Sequence, residues 1–336
     1  MYVDGGIGTD LAKAGAAAKK QEAAGYDGIW AAETSHDPFL ALTLAAEHTS
    51  TVELGTGIVV AFARNPMTLA QSAYNLNEFS EGRLLLGLGS QIKPHITRRF
   101  SMEWSHPAPR MREFILAMRA IWDCWANGTK LDFRGDFYQH TLMTPFFNPG
   151  PNPYGAPKVF LAGVGELMTK VAGETADGFL AHGFTTESYL REVTLPALEA
   201  GMAAGGRTRD EFQISLPGFV VTGANEEEME RAATGVREQI AFYGSTPAYR
   251  GVLDHHGWGD LQPQLNGLSK EGKWKEMGEL ITPEILETFA VVAEPDQVPQ
   301  ALLARYGDLV DRLSFYTPYQ SDPDTWRAII ETLRKG

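Results

Sequence analysis

Four short segments of this 336-residue chain follow apolar runs and contain the groups best suited to chemistry. The first places a carboxylate and an imidazole close together, and these are the side chains that most often move protons in enzymes. The next two offer glycines and polar side chains, and the fourth is a glycine turn before a helical pattern. In chain order the segments are Glu33-Thr34-Ser35-His36, Gly55-Thr56-Gly57-Ile58-Val59-Val60, Gly89-Ser90-Gln91 followed by Lys93 and His95, and Gly163-Val164-Gly165.

The turn Gly163-Val164-Gly165 is a candidate phosphate site. A Gly-x-Gly turn that opens a helix offers free backbone N–H groups and the positive end of the helix dipole. A tight turn between a strand and a helix also needs glycine, so the segment alone leaves both interpretations open. No glycine loop here leads into Lys-Ser or Lys-Thr, and no full Gly-x-Gly-x-x-Gly precedes a later acid. A nucleoside triphosphatase and a Rossmann-type site are therefore not supported.

Histidine and cysteine patterns argue against metal chemistry. The sequence has no His-x-His after its first apolar run and no His-Glu-x-x-His, which disfavours a barrel metallohydrolase. His255 and His256 fall in a predicted loop, where solvated side chains are the ordinary interpretation. Cys124 is the only cysteine, so an internal disulfide is impossible, and a buried thiol within a helix is a poor nucleophile. We therefore expect no metal site.

Eight units, each an apolar strand followed by an amphipathic helix, position these segments. Asp37-Pro38 and Asn65-Pro66 each place a capping side chain before a proline suited to the first helical position. The predicted strands are Met1–Asp4, Gly28–Glu33, Val52–Val60, Arg83–Gly89, Lys158–Gly163, Gly178–His182, Phe212–Gly223 and Asp311–Tyr319. The predicted helices are Leu11–Ala24, Pro38–His48, Pro66–Phe79, one reaching Trp125, one through Lys170, Glu187–Ala204, Asn225–Tyr243 and Pro323–Lys335.

This alternation predicts a single (β/α)8 TIM barrel domain over residues 1–336, with an open doubly wound sheet as the alternative. Barrels keep their chemistry at the carboxyl ends of the strands, where the four segments fall. Two insertions, Thr129 to Pro157 and Arg250 to Val292, are expected to follow strands on that face. The second could act as a lid.

Net charge and hydropathy limit the classes of partner that the protein is expected to bind. With 29 basic and 42 acidic residues the formal net charge is −13, which repels phosphate backbones and anionic lipid and disfavours nucleic acid and membrane partners. No apolar run approaches the roughly 20 residues that cross a bilayer, and no basic-then-apolar leader opens the chain. A cytoplasmic enzyme with a small-molecule substrate is expected.

The ordered set of motifs resembles the bacterial luciferase-like monooxygenase superfamily, and within it the coenzyme F420-dependent oxidoreductases. The resemblance runs over nearly the whole chain. It is carried by AGYDGIW, LGTGIVV followed by RNPMTLAQ, EGRLLLGLGSQIKPHITRRFSMEW, and APKVFLAG with AGETADGF.

The resemblance implies roles for several residues. Gly57-Ile58 matches a non-proline cis peptide that forms a bulge behind the deazaflavin or flavin ring, and Glu33 falls where an acid approaches that ring. The residues implied to line the cofactor are Val60, Ser90, Gln91 and His95, and those implied to bind its phosphate are Gly163, Val164 and Gly165. Many F420-dependent members carry histidine directly after the acid, whereas this chain has Thr34, so His36 or Glu33 would handle the proton.

The resemblance thus implies an oxidoreductase that transfers hydride between F420 and a small organic substrate, and a homodimer packed through early barrel helices. An FMN-dependent monooxygenase that uses reduced flavin and oxygen is the alternative. A barrel that binds flavin without turnover is a further alternative, because the expected histidine is missing at Thr34. Substrate specificity is expected in the loops near Phe62 to Arg64 and in the two insertions.

Overall fold

The computed structural model describes residues 1–334, and its centre is a closed barrel of eight parallel strands. Each strand pairs in parallel with the next, and the eighth pairs with both the seventh and the first. The predicted barrel is confirmed, and the open sheet is excluded. The strands are β1 (Tyr2–Gly6), β2 (Gly28–Ala31), β3 (Glu53–Thr56), β4 (Leu84–Gly89), β5 (Lys158–Ala162), β6 (Gly178–Leu180), β7 (Gln213–Val221) and β8 (Arg312–Tyr316).

The third strand is shorter than the predicted range Val52 to Val60. After β3 the Gly57–Ile58 peptide bond is cis, at the position that the resemblance implied, and the chain then forms the two-residue strand Val59–Val60 beside β4. The backbone N–H of Gly57 donates to the carbonyl of Ala31 at 2.9 Å, and the carbonyl of Ile58 accepts from the N–H of Glu33 at 3.2 Å. These bonds tie the bulge to the end of β2.

Among the described residues, nine helices of nine or more residues lie around the barrel outside the two insertions, and most begin and end close to the predicted residues. The predicted sixth helix opens with Glu187–Tyr189 and a π-helical turn, Leu190–Thr194, before it becomes regular. The last ends at Leu333, and the predicted end at Lys335 lies outside the described residues. The helices are α1 (Leu11–Ala23), α2 (Pro38–His48), α3 (Pro66–Phe79), α4 (Pro107–Asn127), α5 (Glu166–Thr175), α6 (Leu195–Gly205), α7 (Glu226–Gly244), α8 (Val298–Tyr306) and α9 (Pro323–Leu333).

Local sequence signals explain several of these boundaries. Asp37 accepts a hydrogen bond from the N–H of Phe39, and Asn65 accepts one from Met67, so both predicted caps are confirmed. The apolar face of α4 is buried against the barrel, because residues spaced three and four apart share one side of a helix. Its members are Met111, Phe114, Ile115, Met118, Ile121, Trp122 and Trp125.

Side chains fill the lower and middle parts of the barrel. Near the amino ends of the strands the fully buried guanidinium of Arg312 forms an ion pair with Asp4 at 2.8 Å. Closer to the carboxyl ends, Trp30 of β2 packs edge-to-face on Phe160 of β5 with ring centroids 5.8 Å apart. A Cβ on Gly55 would lie 2.2 Å from Trp30 Cε3, so only glycine fits beside that ring. Open space for a ligand therefore lies at the carboxyl ends.

The first insertion does not lie where the sequence analysis placed it. Thr129 to Pro157 follows helix α4 and leads into β5, so it connects a helix to a strand. Helices run opposite to the strands in this fold, so such a connection starts at the amino ends of the strands. Its later part packs on α3, where Asn77 donates to the carbonyl of Gly155 at 3.0 Å. Its short elements are Phe133–Arg134, Gln139–His140 and Pro145–Phe147.

The second insertion lies at the carboxyl ends of β6 and β7, on the expected face, but it follows helix α7 and not a strand. Helix α7 is itself part of the connection that leaves β7 and reaches α8. The insertion ends in the strand Ala290–Val292, which pairs with the end of β7. Just before its start Tyr249 stacks on His182, which follows β6. The second insertion therefore covers part of the mouth of the barrel. Its helices are Arg250–His255, Leu261–Lys270, Trp274–Glu279 and Pro283–Phe289.

Candidate active site

One half of the barrel mouth is lined by glycine. Gly6 ends β1, Gly57 follows β3, Gly89 ends β4 and Gly163 follows β5. The side chain of half-buried Ile58 lies over Gly89, where an added Cβ would be 2.9 Å from Ile58 Cδ1. This glycine-lined half therefore leaves room for a flat ring against Ile58.

Glu33 fixes the bulge that carries Ile58. Its Oε2 accepts a hydrogen bond from the backbone N–H of Val60 at 2.8 Å and forms an ion pair with Arg64 at 2.5 Å. Arg64 also binds Asp37 at 2.7 Å. Only 8% of the Glu33 side chain is exposed, so this carboxylate is committed to the loop that follows the third strand.

Thr34 and His36 lie on the exposed rim next to Glu33. The carbonyl of Thr34 accepts a hydrogen bond from Arg99 at 2.6 Å, which holds the loop after β2 against the segment after β4. The two predicted catalytic positions are thus exposed to solvent, whereas Glu33 lies beneath them.

The segment after β4 borders the bulge, because Val60 pairs with Gly89. Ser90 Oγ donates to the carbonyl of Gln91 at 3.1 Å, and Gln91 adopts a left-handed conformation with φ of 60°. Ser90 and Gln91 therefore lie beside the glycine-lined half. His95 is exposed and begins a π-helical turn further along the segment, so it is more distant from the bulge along the chain.

The predicted phosphate turn opens helix α5. Gly165 has φ of +83° with open space around its Cα, and no side chain caps the first turn of the helix. Its neighbour Val164 is exposed. Glu166 follows in the first turn, where its carboxylate is paired with Lys170 at 2.5 Å. The uncapped N–H groups fit a phosphate, because the dipole of α5 points its positive end there.

Aromatic side chains line the other half of the mouth, and the sequence analysis assigned them no role. His182 follows β6, Phe219 lies on β7 and Tyr316 ends β8. The rings of Phe219 and Tyr316 stack with centroids 4.7 Å apart. Tyr243 and Tyr249 complete this aromatic half from α7 and from the turn before the second insertion. The only sequence signal was the position of His182 at the end of the predicted sixth strand.

Burial shifts two titrations in the aromatic half. It lowers the pKa of His182 to about 4, so the imidazole is neutral near pH 7. Burial and the hydrogen bond shared with Tyr243 raise the pKa of Tyr316. Both groups therefore act as neutral hydrogen-bonding groups at neutral pH.

Within residues 1–334 no group of three or more His, Cys, Asp or Glu side chains is arranged to hold a metal ion. Among the helices so described, none combines the length and the apolar character that a bilayer crossing requires.

Fold and site together define a barrel enzyme with its active site at the strand ends. The chain belongs to the luciferase-like monooxygenase family, whose model matches residues 3–312. It is 56% identical over 313 residues to an uncharacterized protein of Mycobacterium tuberculosis, covering 93% of this chain and 92% of that protein.

Two further comparisons concern reductases. The chain is 26% identical over 290 residues to the 5,10-methylenetetrahydromethanopterin reductase of Archaeoglobus fulgidus, covering 83% of this chain and 82% of that enzyme. Its fold matches that of the coenzyme F420-dependent tetrahydromethanopterin reductase of Methanopyrus kandleri with a TM-score of 0.78 and 20% identity, over 99% of this chain and 96% of the other. The family resemblance stated from the sequence is confirmed.

Proposed function

We propose that this protein is a coenzyme F420-dependent oxidoreductase. The observation that carries the proposal is the glycine-lined half of the mouth, with Ile58 presented on a bulge that Glu33 holds in place. A deazaflavin ring needs a flat, rigid surface behind it and open space in front of it. The similarity to the methylenetetrahydromethanopterin reductase supports F420 as the ligand.

The residues present fit this cofactor. Ile58 and Val60 would lie behind the ring, Ser90 and Gln91 would border it, and the N–H groups at the start of α5 would bind its phosphate. Gly165 meets nothing within 4 Å of an added Cβ, so a phosphate can approach the backbone closely. The bound deazaflavin supplies or accepts the hydride, that is, two electrons and one proton.

The chain's own residues orient the reactants and exchange the second proton. Glu33 Oε2 already binds Val60 N–H and Arg64, so we assign Glu33 to holding the bulge. His36, exposed on the same loop, exchanges the proton with solvent and takes the place of the histidine absent at Thr34. The second insertion and the aromatic half of the mouth together limit the access of water to the deazaflavin ring.

An FMN-dependent monooxygenase is the second candidate, favoured by the family to which the chain belongs. Reduced FMN has the same flat ring and a phosphate, so the same residues would bind it. Substrate oxygenation then requires molecular oxygen and an external source of reduced flavin.

Parallel titrations of the purified protein with F420 and FMN separate the two candidates. We expect F420 fluorescence to change with saturation at one site per chain and FMN to bind at least tenfold more weakly. Binding of FMN without binding of F420 would reverse the assignment. Oxygen consumption with reduced FMN is the matching activity measurement.

A further inference from the structure

His182 lies where a side chain can reach a substrate from the side opposite to the bulge. It follows β6, whose residues Gly178 and Leu180 face the barrel interior. A Cβ on Gly178 would meet the Phe160 ring at 2.3 Å, and Leu180 Cδ1 lies 2.8 Å from the Cβ position of Gly87 on β4. Because alternate strand residues share a face, position 182 continues this row into the mouth.

The backbone fixes which ring nitrogen of His182 carries the proton. The N–H of Phe184 donates to Nδ1 at 3.0 Å, so Nδ1 is an acceptor and holds no proton. A neutral imidazole then carries its proton on Nε2. Within residues 1–334 no protein group accepts a hydrogen bond from that Nε2–H.

Aromatic rings hold the imidazole in one orientation. Tyr249 stacks on it with centroids 4.4 Å apart, and Tyr243 meets it edge-to-face at 4.7 Å. Tyr243 and Tyr316 share a hydroxyl–hydroxyl hydrogen bond of 2.6 Å. The ring of Tyr316 in turn lies over Gly183, where an added Cβ would be 3.1 Å from Tyr316 Cδ1. A donor held this rigidly loses little entropy when it binds a ligand.

We propose that His182 Nε2–H is the hydrogen-bond donor that binds the oxygen atom of the substrate, and that the substrate is an uncharged ketone or secondary alcohol with apolar substituents. The inference rests on the proposed function. A neutral imidazole polarises a carbonyl without adding a positive charge, as other barrel enzymes illustrate. When a ketone is reduced, its carbonyl carbon gains the hydride that reduced F420 would supply, and its oxygen gains one proton from solvent by way of His36 while it accepts the hydrogen bond from His182. Oxidation of the alcohol is the reverse. The surrounding aromatic rings disfavour a phosphorylated or carboxylate substrate at His182.

The test compares four forms of the protein, wild type and three variants, after F420 binding has been measured by fluorescence. His182→Phe keeps the stacked ring and removes the donor, whereas His182→Gln keeps a donor and loses the stacking. His48→Phe is the matched control, because it makes the same change on an exposed residue at the end of α2, outside the site. The probes are cyclohexanone with reduced F420, cyclohexanol with oxidised F420, and glucose 6-phosphate as the charged comparison.

We expect wild type to turn over cyclohexanone or cyclohexanol and to discriminate against glucose 6-phosphate. For His182→Phe we expect kcat/KM to fall about 100-fold or more, with F420 affinity within twofold of wild type. His182→Gln should keep more activity than His182→Phe, and His48→Phe should stay within threefold of wild type. A purely structural role for the ring predicts the reverse order of the two His182 variants.

Each other result has a defined meaning. Equal kcat/KM in wild type and His182→Phe, or lower activity in His182→Gln than in His182→Phe, overturns the role of His182. F420 binding without turnover of either uncharged probe overturns the substrate class, while the cofactor assignment stands. Absence of F420 binding overturns the proposed function itself. If His182→Phe fails to fold, the test is the resonance of His182 Nε2 in the wild-type protein. We expect cyclohexanone to shift this resonance in the F420-loaded protein. An unchanged resonance contradicts the inference.

Discussion

The backbone N–H of Val60 donates to Glu33 Oε2 at 2.8 Å, which joins the loop after β2 to the chain beyond the Gly57–Ile58 bulge. Arg64 forms an ion pair with the same carboxylate. The bulge that would lie behind a cofactor ring is thus fixed by an almost buried acid. This relationship makes the loss of Glu33 a test of cofactor binding as well as of stability.

Glu33→Ala should lower the free energy of unfolding by about 1–3 kcal/mol, because it leaves the Val60 N–H and Arg64 without their partner. We also expect at least tenfold weaker F420 binding, since the bulge loses its support. Urea unfolding and fluorescence titration measure the two effects. Asp37→Asn is the control, because that side chain is 43% exposed and its pair with Arg64 is worth less than about 1 kcal/mol. Unchanged cofactor affinity in Glu33→Ala would show that the bulge is held by other contacts.

Two glycines with the same backbone conformation allow the phosphate turn to be tested. Gly165 at the start of α5 has φ of +83°, and Gly150 in the first insertion has φ of +82°, with nothing within 4 Å of either Cβ position. Alanine at either position should cost about 1 kcal/mol or more of stability, because L residues disfavour this conformation. Only Gly165→Ala should also weaken F420 binding, by an expected tenfold or more. A similar loss of affinity in Gly150→Ala would place the effect in the fold and not in a phosphate contact.

The fold was predictable because the barrel strands and helices carry periodic apolar patterns and some of the helices carry a recognisable N-cap. Asp37 and Asn65 cap the helices they precede, as proposed from sequence. The first insertion was misplaced because its composition resembles that of an active-site loop. Its position after helix α4 decides which end of the barrel it starts from.

The aromatic half of the site could not be predicted from local patterns. Tyr243 belongs to a charged helix and lies 73 residues from Tyr316 in the chain, yet their hydroxyls are 2.6 Å apart. No short motif encodes such a contact, which depends on where the end of α7 lies relative to the end of β8. Gly57-Ile58, by contrast, was found through a family motif, because its neighbours along the chain form a recognisable string.

Glu22 makes stability depend on acid pH. Its Oε1 accepts hydrogen bonds from the N–H groups of Ser50, Thr51 and Val52 and from the Thr51 hydroxyl. Burial alone would raise its pKa, but these hydrogen bonds lower it to about 2, from an ordinary value of 4.5. The unfolded chain therefore binds more protons between pH 4.5 and 2. The contribution of Glu22 is fully present above pH 4.5 and disappears as the pH falls toward 2.

Glu22→Gln should therefore be less stable than wild type at pH 7, and the difference should shrink as the pH falls from 4.5 to 2. Urea midpoints measured across this range provide the comparison. Glu47→Gln, an exposed change on α2, serves as the control and should run parallel to wild type. A constant difference between Glu22→Gln and wild type at all pH values would contradict the linkage.

Arg312 is a fully buried charged residue in the barrel core. Its Nε and Nη2 donate to the two oxygens of Asp4 at 2.8 Å, and Nη1 donates to Glu53 at 2.6 Å, with no exposure of the Arg312 side chain. Arg312→Met removes the cation and leaves the carboxylate of Asp4 uncompensated inside the barrel. We expect a loss of about 3–5 kcal/mol in the free energy of unfolding, because one partner of a buried pair is then desolvated without compensation.

The double variant Asp4→Leu with Arg312→Met should recover part of that stability, because it removes the stranded charge along with its partner. Arg312→Lys keeps the charge but cannot bind both Asp4 oxygens in the same fork, so an intermediate loss is expected. Guanidinium unfolding of the four proteins measures the series. A double variant less stable than Arg312→Met would show that Asp4 stabilises the barrel mainly through its hydrogen bond from Trp30, which is 2.9 Å long, and not through Arg312.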